Sequence, residues 1–160
     1  GRSAIDKFKL TVPMFGTLFR KLYMARFART CETLMSTGVQ MLETLKISSQ
    51  AVNNVHVAAA INRAAIKVRS GKALSAGLKN EEYILPLVPQ MISIGEQSGG
   101  IDKMLAKAAT FYENELDNAI RAISTAIEPI LMVLLALVAG TMIVAILFPI
   151  YNLVGTGAVS

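Results

Sequence analysis

The sequence predicts an all-α protein: an antiparallel bundle of about six helices, the last continuing into a C-terminal transmembrane helix. Three observations predict it. Apolar residues recur at spacings of three and four along most of the chain, which gathers them on one face of a helix. No stretch of alternating β-branched residues rivals that periodicity. Residues 130–148, ILMVLLALVAGTMIVAILF, are 19 positions without a charge. At a rise of ~1.5 Å per residue such a run reaches roughly 28 Å, close to the hydrocarbon thickness of a bilayer.

Each element follows from local signals. The first helix repeats Phe19, Leu22, Tyr23, Phe27, Cys31 and Leu34, and Gly38 stops it. A second runs from about Gln40 with Leu42, Leu45, Ser49 and Val52 on one face. Asn53 and Asn54 break it and supply a cap for the third. That helix repeats Val57, Ile61, Ala64, Ala65 and Val68 and ends at Gly71. A short turn of helix lies around Leu74 and Leu78, and KNEEY makes a loop. Pro86 suits the first turn of the next helix, whose inward residues are Leu87, Val88, Met91, Ile92 and Gly95. After Gly99 and Gly100 the longest helix carries Met104, Leu105, Ala108, Phe111, Tyr112, Leu116, Ile120, Ile123 and Ile127, with no breaker before Pro129.

Charge sets the expected orientation. All 16 Lys and Arg lie at or before Arg121, and the 39 residues from Ala122 onward have none. Cytoplasmic flanks collect Lys and Arg, so the bundle is expected in the cytoplasm and the C-terminus on the far side of the membrane, the periplasm if that membrane is a bacterial inner one. The divisions that follow are 1–18, a linker from a preceding membrane segment; 19–126, the cytoplasmic bundle; 127–150, the span; and 151–160, a periplasmic tail. The opening GRSAID lacks a Met, and we expect a piece of a longer protein headed by a tag remnant. Within the cytoplasmic part, residues 1–79 hold 13 basic and 3 acidic groups, whereas residues 80–128 hold 3 and 8. Arg63, Lys67, Arg69, Lys72 and Lys79 form a run without an acid. It suits anionic lipid, an acidic protein, or simply water.

Catalytic patterns are missing. The one histidine, His56, has no nucleophile beside it. Cys31 lies on an inward stripe, and a single cysteine forms no intrachain disulfide. Gly71-Lys72 is followed by Ala73, and the position five before Gly71 is Ile66, so no phosphate loop is present. No cofactor or metal site is expected. Direct nucleic-acid binding is not expected either, since the bases are not interleaved with exposed aromatics and there is no Trp.

Two blocks carry a family resemblance: MISIGEQSGGIDKMLAKAATFYENELD and IEPILMVLLALVAGTMIVAILFPIYNL. With IDKFKLTVPMFGTLFRKLYMARFARTCETLMSTGVQMLETL before them, they resemble the type II secretion F family of inner-membrane platform proteins, which serve type IV pilus and type II secretion machines. Gln40 departs from the Pro often found after GV. Only one of the two cytoplasmic domains and one of the three spans usual for the family are visible, so the match corresponds to the second domain and final span. The resemblance implies a non-enzymatic subunit of the bacterial inner membrane, coupling a hexameric assembly ATPase to pilin or pseudopilin insertion or extraction. Alternatives are a passive oligomeric scaffold of the same machine and a DNA-uptake pseudopilus platform. Other inner-membrane assembly proteins and further copies of the chain are expected partners.

The resemblance also selects residues. Gly95, Glu96, Ser98, Gly99 and Gly100 form the family's turn. Glu96 is expected to accept from the N–H groups at Ile101 to Lys103 or to pair with Arg26 or Arg29; a contact to the ATPase, or a cation site with Asp102, is the functional alternative. Glu128, Pro129 and Pro149 mark the membrane edges, with Glu128 facing water, Arg121 or a charged group on a pilin. Arg63, Lys67, Arg69 and Lys72 are the candidate ATPase-docking face. Ala136 and Gly140 are a candidate helix-packing pair.

Overall fold

The computed structural model describes residues 2–11 and 13–157. Among these, seven helices follow one another without a strand: α1 (Arg2–Thr11), α2 (Pro13–Ser36), α3 (Met41–Ala51), α4 (Val55–Arg69), α5 (Leu74–Leu78), α6 (Leu87–Ser98) and α7 (Ile101–Gly157). The chain divides into two compact units, Gly1–Ala119 and Ile120–Ser160.

The first unit is the bundle. α2 packs on α1 and α3, α4 on α1, α3 and α5, and α5 on α6. Its core takes Met24 and Phe27 from α2, Leu45 from α3, Ile61 from α4, Leu78 from α5, Ile92 from α6 and Leu105 from α7, all fully buried. Each such side chain contributes about 1.5–3 kcal/mol by leaving water. The turns form where the sequence indicates: Gly38 and Gly71 end α2 and α4 at positive φ. Asn54 caps α4, its Oδ1 accepting from the backbone N–H of His56 (3.0 Å) and Val57 (3.1 Å).

Four details differ from the sequence reading. The onset of α2 is Pro13 rather than Phe19, and most of the segment assigned to a linker is helical. Within α1, Asp6 is buried and its Oδ2 accepts from Val55 N–H at 3.1 Å, so α1 closes the N-terminal end of α4. On α3, the second expected helix, Leu45, Ser49 and Val52 face inward as expected, but Leu42 stays at the surface and Thr44 and Ser48 join the buried face. Small hydroxyl residues fit the close approach of α2 and α3 because they are satisfied locally: Ser48 Oγ meets Cys31 Sγ at 3.1 Å, and Ser49 Oγ donates to the Lys46 carbonyl at 2.8 Å. On α7, Tyr112 takes the inward position and Phe111 is turned outward.

In the second unit, residues 120–157 are helical and exposed throughout. Helix continues past the expected end of the span at 150 as far as Gly157, with Pro129 and Pro149 inside it; residues 158–160 of the expected tail lie outside the described residues. Among the described residues α7 is the one helix long and apolar enough to cross a membrane, and its most apolar stretch is wholly unburied. Side chains such as Leu134, Leu135, Ile143 and Phe148 are more than half exposed, an arrangement that a helix long and apolar enough to cross a membrane can sustain in hydrocarbon.

Candidate functional site

The turn between α6 and α7 is built around glycines for two different reasons. Gly99 ends α6 at φ +78°, a conformation that costs an L side chain roughly 1 kcal/mol or more. Gly100 N–H then donates to the Gly95 carbonyl at 2.9 Å, closing a Schellman-type end. The Gly100 carbonyl in turn accepts from Met104 N–H at 3.1 Å and starts α7. At Gly95 the constraint is space. A Cβ there would lie 2.6 Å from the Cα of Ile101, so α6 and α7 meet backbone to backbone. Ser98, exposed, donates from Oγ to the Gly95 carbonyl at 3.5 Å, a weak bond.

Glu96 answers to neither expected structural partner. Its Oε1 accepts from Ser75 N–H at 3.0 Å and its Oε2 from Ser75 Oγ at 2.6 Å. Ser75 is the second residue of α5, and Ala73, at the cap position, has no side chain to bond the orphan donors. Glu96 therefore caps a neighbouring helix from across the bundle, with its negative charge at the positive end of that helix's dipole. Arg29 is engaged elsewhere: Nε and Nη2 each reach Glu113 at 2.9 Å, and Nη1 reaches Glu32 at 3.3 Å. The hydrogen bonds with Glu113 hold the arginine above its ordinary value and that carboxylate below its own. Neither Glu96 nor Asp102 belongs to any group of three or more metal-ligating side chains among the described residues.

The four bases of the candidate docking face do not act alike. Arg63 donates to Glu81 through Nη2 (2.6 Å) and Nε (3.2 Å), and Lys67 Nζ lies 3.7 Å from the same carboxylate. The Glu81 side chain is 9% exposed, and the bond from Arg63 holds it below the usual carboxylate range. Arg69 and Lys72 stay exposed. Two of the four cations thus face the same carboxylate of the bundle while their own side chains stay partly exposed. The sequence reading missed Glu81, although KNEEY is the one loop that sets two acids after the basic run. It missed Ser75 as well, because a cap supplied by another helix leaves no local pattern.

Glu128, Pro129, Pro149, Ala136 and Gly140 are all exposed on the helix of the second unit. A Cβ at Gly140 would meet nothing within 4 Å.

The family profile described as "Type II secretion system (T2SS), protein F" matches residues 27–149, from the middle of α2 through the turn to Pro149. The chain belongs to the protein F family. Among curated proteins it is similar to the type IV pilus assembly protein PilC of Thermus thermophilus, 37% identical over 98% of this chain and 39% of that protein. It is also similar to the PilC of Myxococcus xanthus (39% identical, 97% of this chain, 37% of the relative). The type II secretion system protein F of Pseudomonas aeruginosa is 36% identical over 91% of this chain and 36% of that protein. The chain spans well under half the length of these relatives. The glycine turn and the apolar run 130–148 lie inside the matched range, whereas residues 5–26 of the first block that carried the resemblance precede it.

Proposed function

We propose that the chain is part of an inner-membrane platform subunit of a type IV pilus or type II secretion machine. In this reading the first unit faces the cytoplasm, α7 crosses the membrane after it, and the C-terminus is periplasmic. The subunit passes the motion of a hexameric assembly ATPase to pilins or pseudopilins in the membrane, without chemistry of its own. One observation carries it: the family match runs from the bundle into the apolar helix, and the relatives include proteins named for both machines. The loss of all Lys and Arg after Arg121 supports the orientation. Unbroken helix assignment from Ile101 to Gly157 supports α7 as the transmitting element.

The test is binding of the full chain, in detergent, to the host's purified assembly ATPase, with ATP turnover followed in parallel. Salt-sensitive binding that alters turnover is expected. Binding without any change in turnover favours the passive scaffold, and no binding of the chain removes it as the ATPase's contact. A second experiment addresses transmission: glycines inserted beside Ile123 should abolish piliation or secretion while leaving the subunit at its normal level.

A further inference from the structure

α3 and α4 leave between them a groove of about 370 Å³, bordered chiefly by Leu42, Glu43, Lys46, Asn62, Ile66 and Arg69. Ile66 is 66% exposed, more than any other large apolar side chain described in the first unit, and Leu42 is 37% exposed. The bundle does not need them there. The inward positions of α4 are filled by Val57, Ala60, Ile61 and Ala64, and those of α3 by Thr44, Leu45, Ser48 and Ser49. A β-branched residue facing water in a helix also runs against propensity.

The cations beside this groove differ from their neighbours. Arg63 and Lys67 are tied to Glu81, while among the described residues Lys46 and Arg69 form no ion pair. Two aliphatic side chains edged by two unpaired cations, on a pair of adjacent helices, match the apolar stripe and acidic flanks of a third helix. We propose that the α3–α4 groove docks an acidic amphipathic helix of a protein partner, its aliphatic edge against Leu42 and Ile66 and its carboxylates on Lys46 and Arg69. The proposal rests on the reading above, in which this unit faces the cytoplasm and meets other machine parts. A lipid surface fits less well. Polybasic docking on anionic headgroups draws on about 4–8 clustered cations, whereas Glu81 withdraws two here and Glu43 places a like charge at the lip.

The experiment uses the full chain in phosphatidylcholine nanodiscs and a fluorescent helical peptide with Leu at i, i+4 and i+7 flanked by Glu. Saturable binding is expected, about tenfold weaker or more after Ile66→Asp or Arg69→Glu, with melting unchanged because both sites are exposed. Lys-for-Glu and Ser-for-Leu peptides should bind at least about tenfold more weakly. Equal binding of the Lys peptide overturns the proposal, as does an affinity indifferent to both substitutions. Absence of acidic-peptide binding overturns it too, and phosphatidylglycerol vesicles captured through Lys46 and Arg69 in that case reassign the face to the membrane. The two readings fail separately. ATPase capture that survives Ile66→Asp and Arg69→Glu, with the peptide indifferent to them, sinks the groove and keeps the platform; loss of ATPase capture by the unaltered chain sinks the coupling while the peptide still decides the groove.

Discussion

Gly95 and Cys31 show how single positions are fixed by their surroundings rather than by their own chemistry. Replacing Gly95 by Ala puts a methyl 2.6 Å from the Ile101 Cα, and because that atom is backbone, relief requires α6 and α7 to separate. We expect a loss of about 1–3 kcal/mol, read as a lower thermal midpoint in detergent. Cys31 is 1% exposed, and burial pushes its thiol up to about 12 despite the opposing contact with Ser48. The thiolate is the reactive form, so maleimide at pH 8 should leave Cys31 unlabelled in the folded protein and label it once guanidinium unfolds the bundle. Labelling of the native chain at the rate of a free thiol would contradict the packing described. Cys31 was legible from the stripe of α2; the reason for Gly95 was not, since a sequence records that a glycine is present but not which backbone passes beside it.

The dependence of α5 on Glu96 belongs to the scale of elements. A helix of five residues with no cap of its own is too short to persist by propensity and is held by what packs around it. Glu96→Ala removes the acceptor for Ser75 N–H and Oγ. We expect a cost of about 1 kcal/mol and faster amide exchange confined to α5 and its contact with α6; unchanged exchange at Ser75 to Leu78 would contradict the capping role. Helix existence was readable from residue 19 onward, because the Gly and Asn punctuation after α2, α3 and α4 is a local signal; α1 and the first turns of α2 were assigned to a linker. The extent of each buried face was less legible. On α3 that face includes Thr44 and Ser48 and leaves out Leu42, because the fit against α2 selects small hydroxyl residues that apolar periodicity does not. Ile66 lay outside the expected stripe of α4 and is exposed, as that stripe implies.

Across the whole molecule, part of the polarised charge of the sequence is paired within the bundle. Basic α2 meets the acidic stretch of α7 through Lys21–Glu115 and Arg29–Glu113, both at 2.9 Å, and basic α4 meets Glu81. Counting charges along the chain could not show this, because the pairs are joined by folding and not by sequence. Glu81 and Glu113 both have folded values below the ordinary 4.5. Their stabilisation is therefore present above that pH and lost as the pH falls through the lower folded values. Acid should lower the melting point of the bundle, and Glu81→Gln should flatten part of that fall while costing about 0.2–1 kcal/mol at neutral pH. An identical acid profile for the variant would remove Glu81 from the account. Asp6, finally, has a bearing on where this protein can be cut. A fragment trimmed to the expected bundle boundary at residue 19 would have no α1, leaving Val55 N–H without its acceptor and uncovering a flank of α2 and α4. A piece that keeps these contacts must therefore reach back through Asp6.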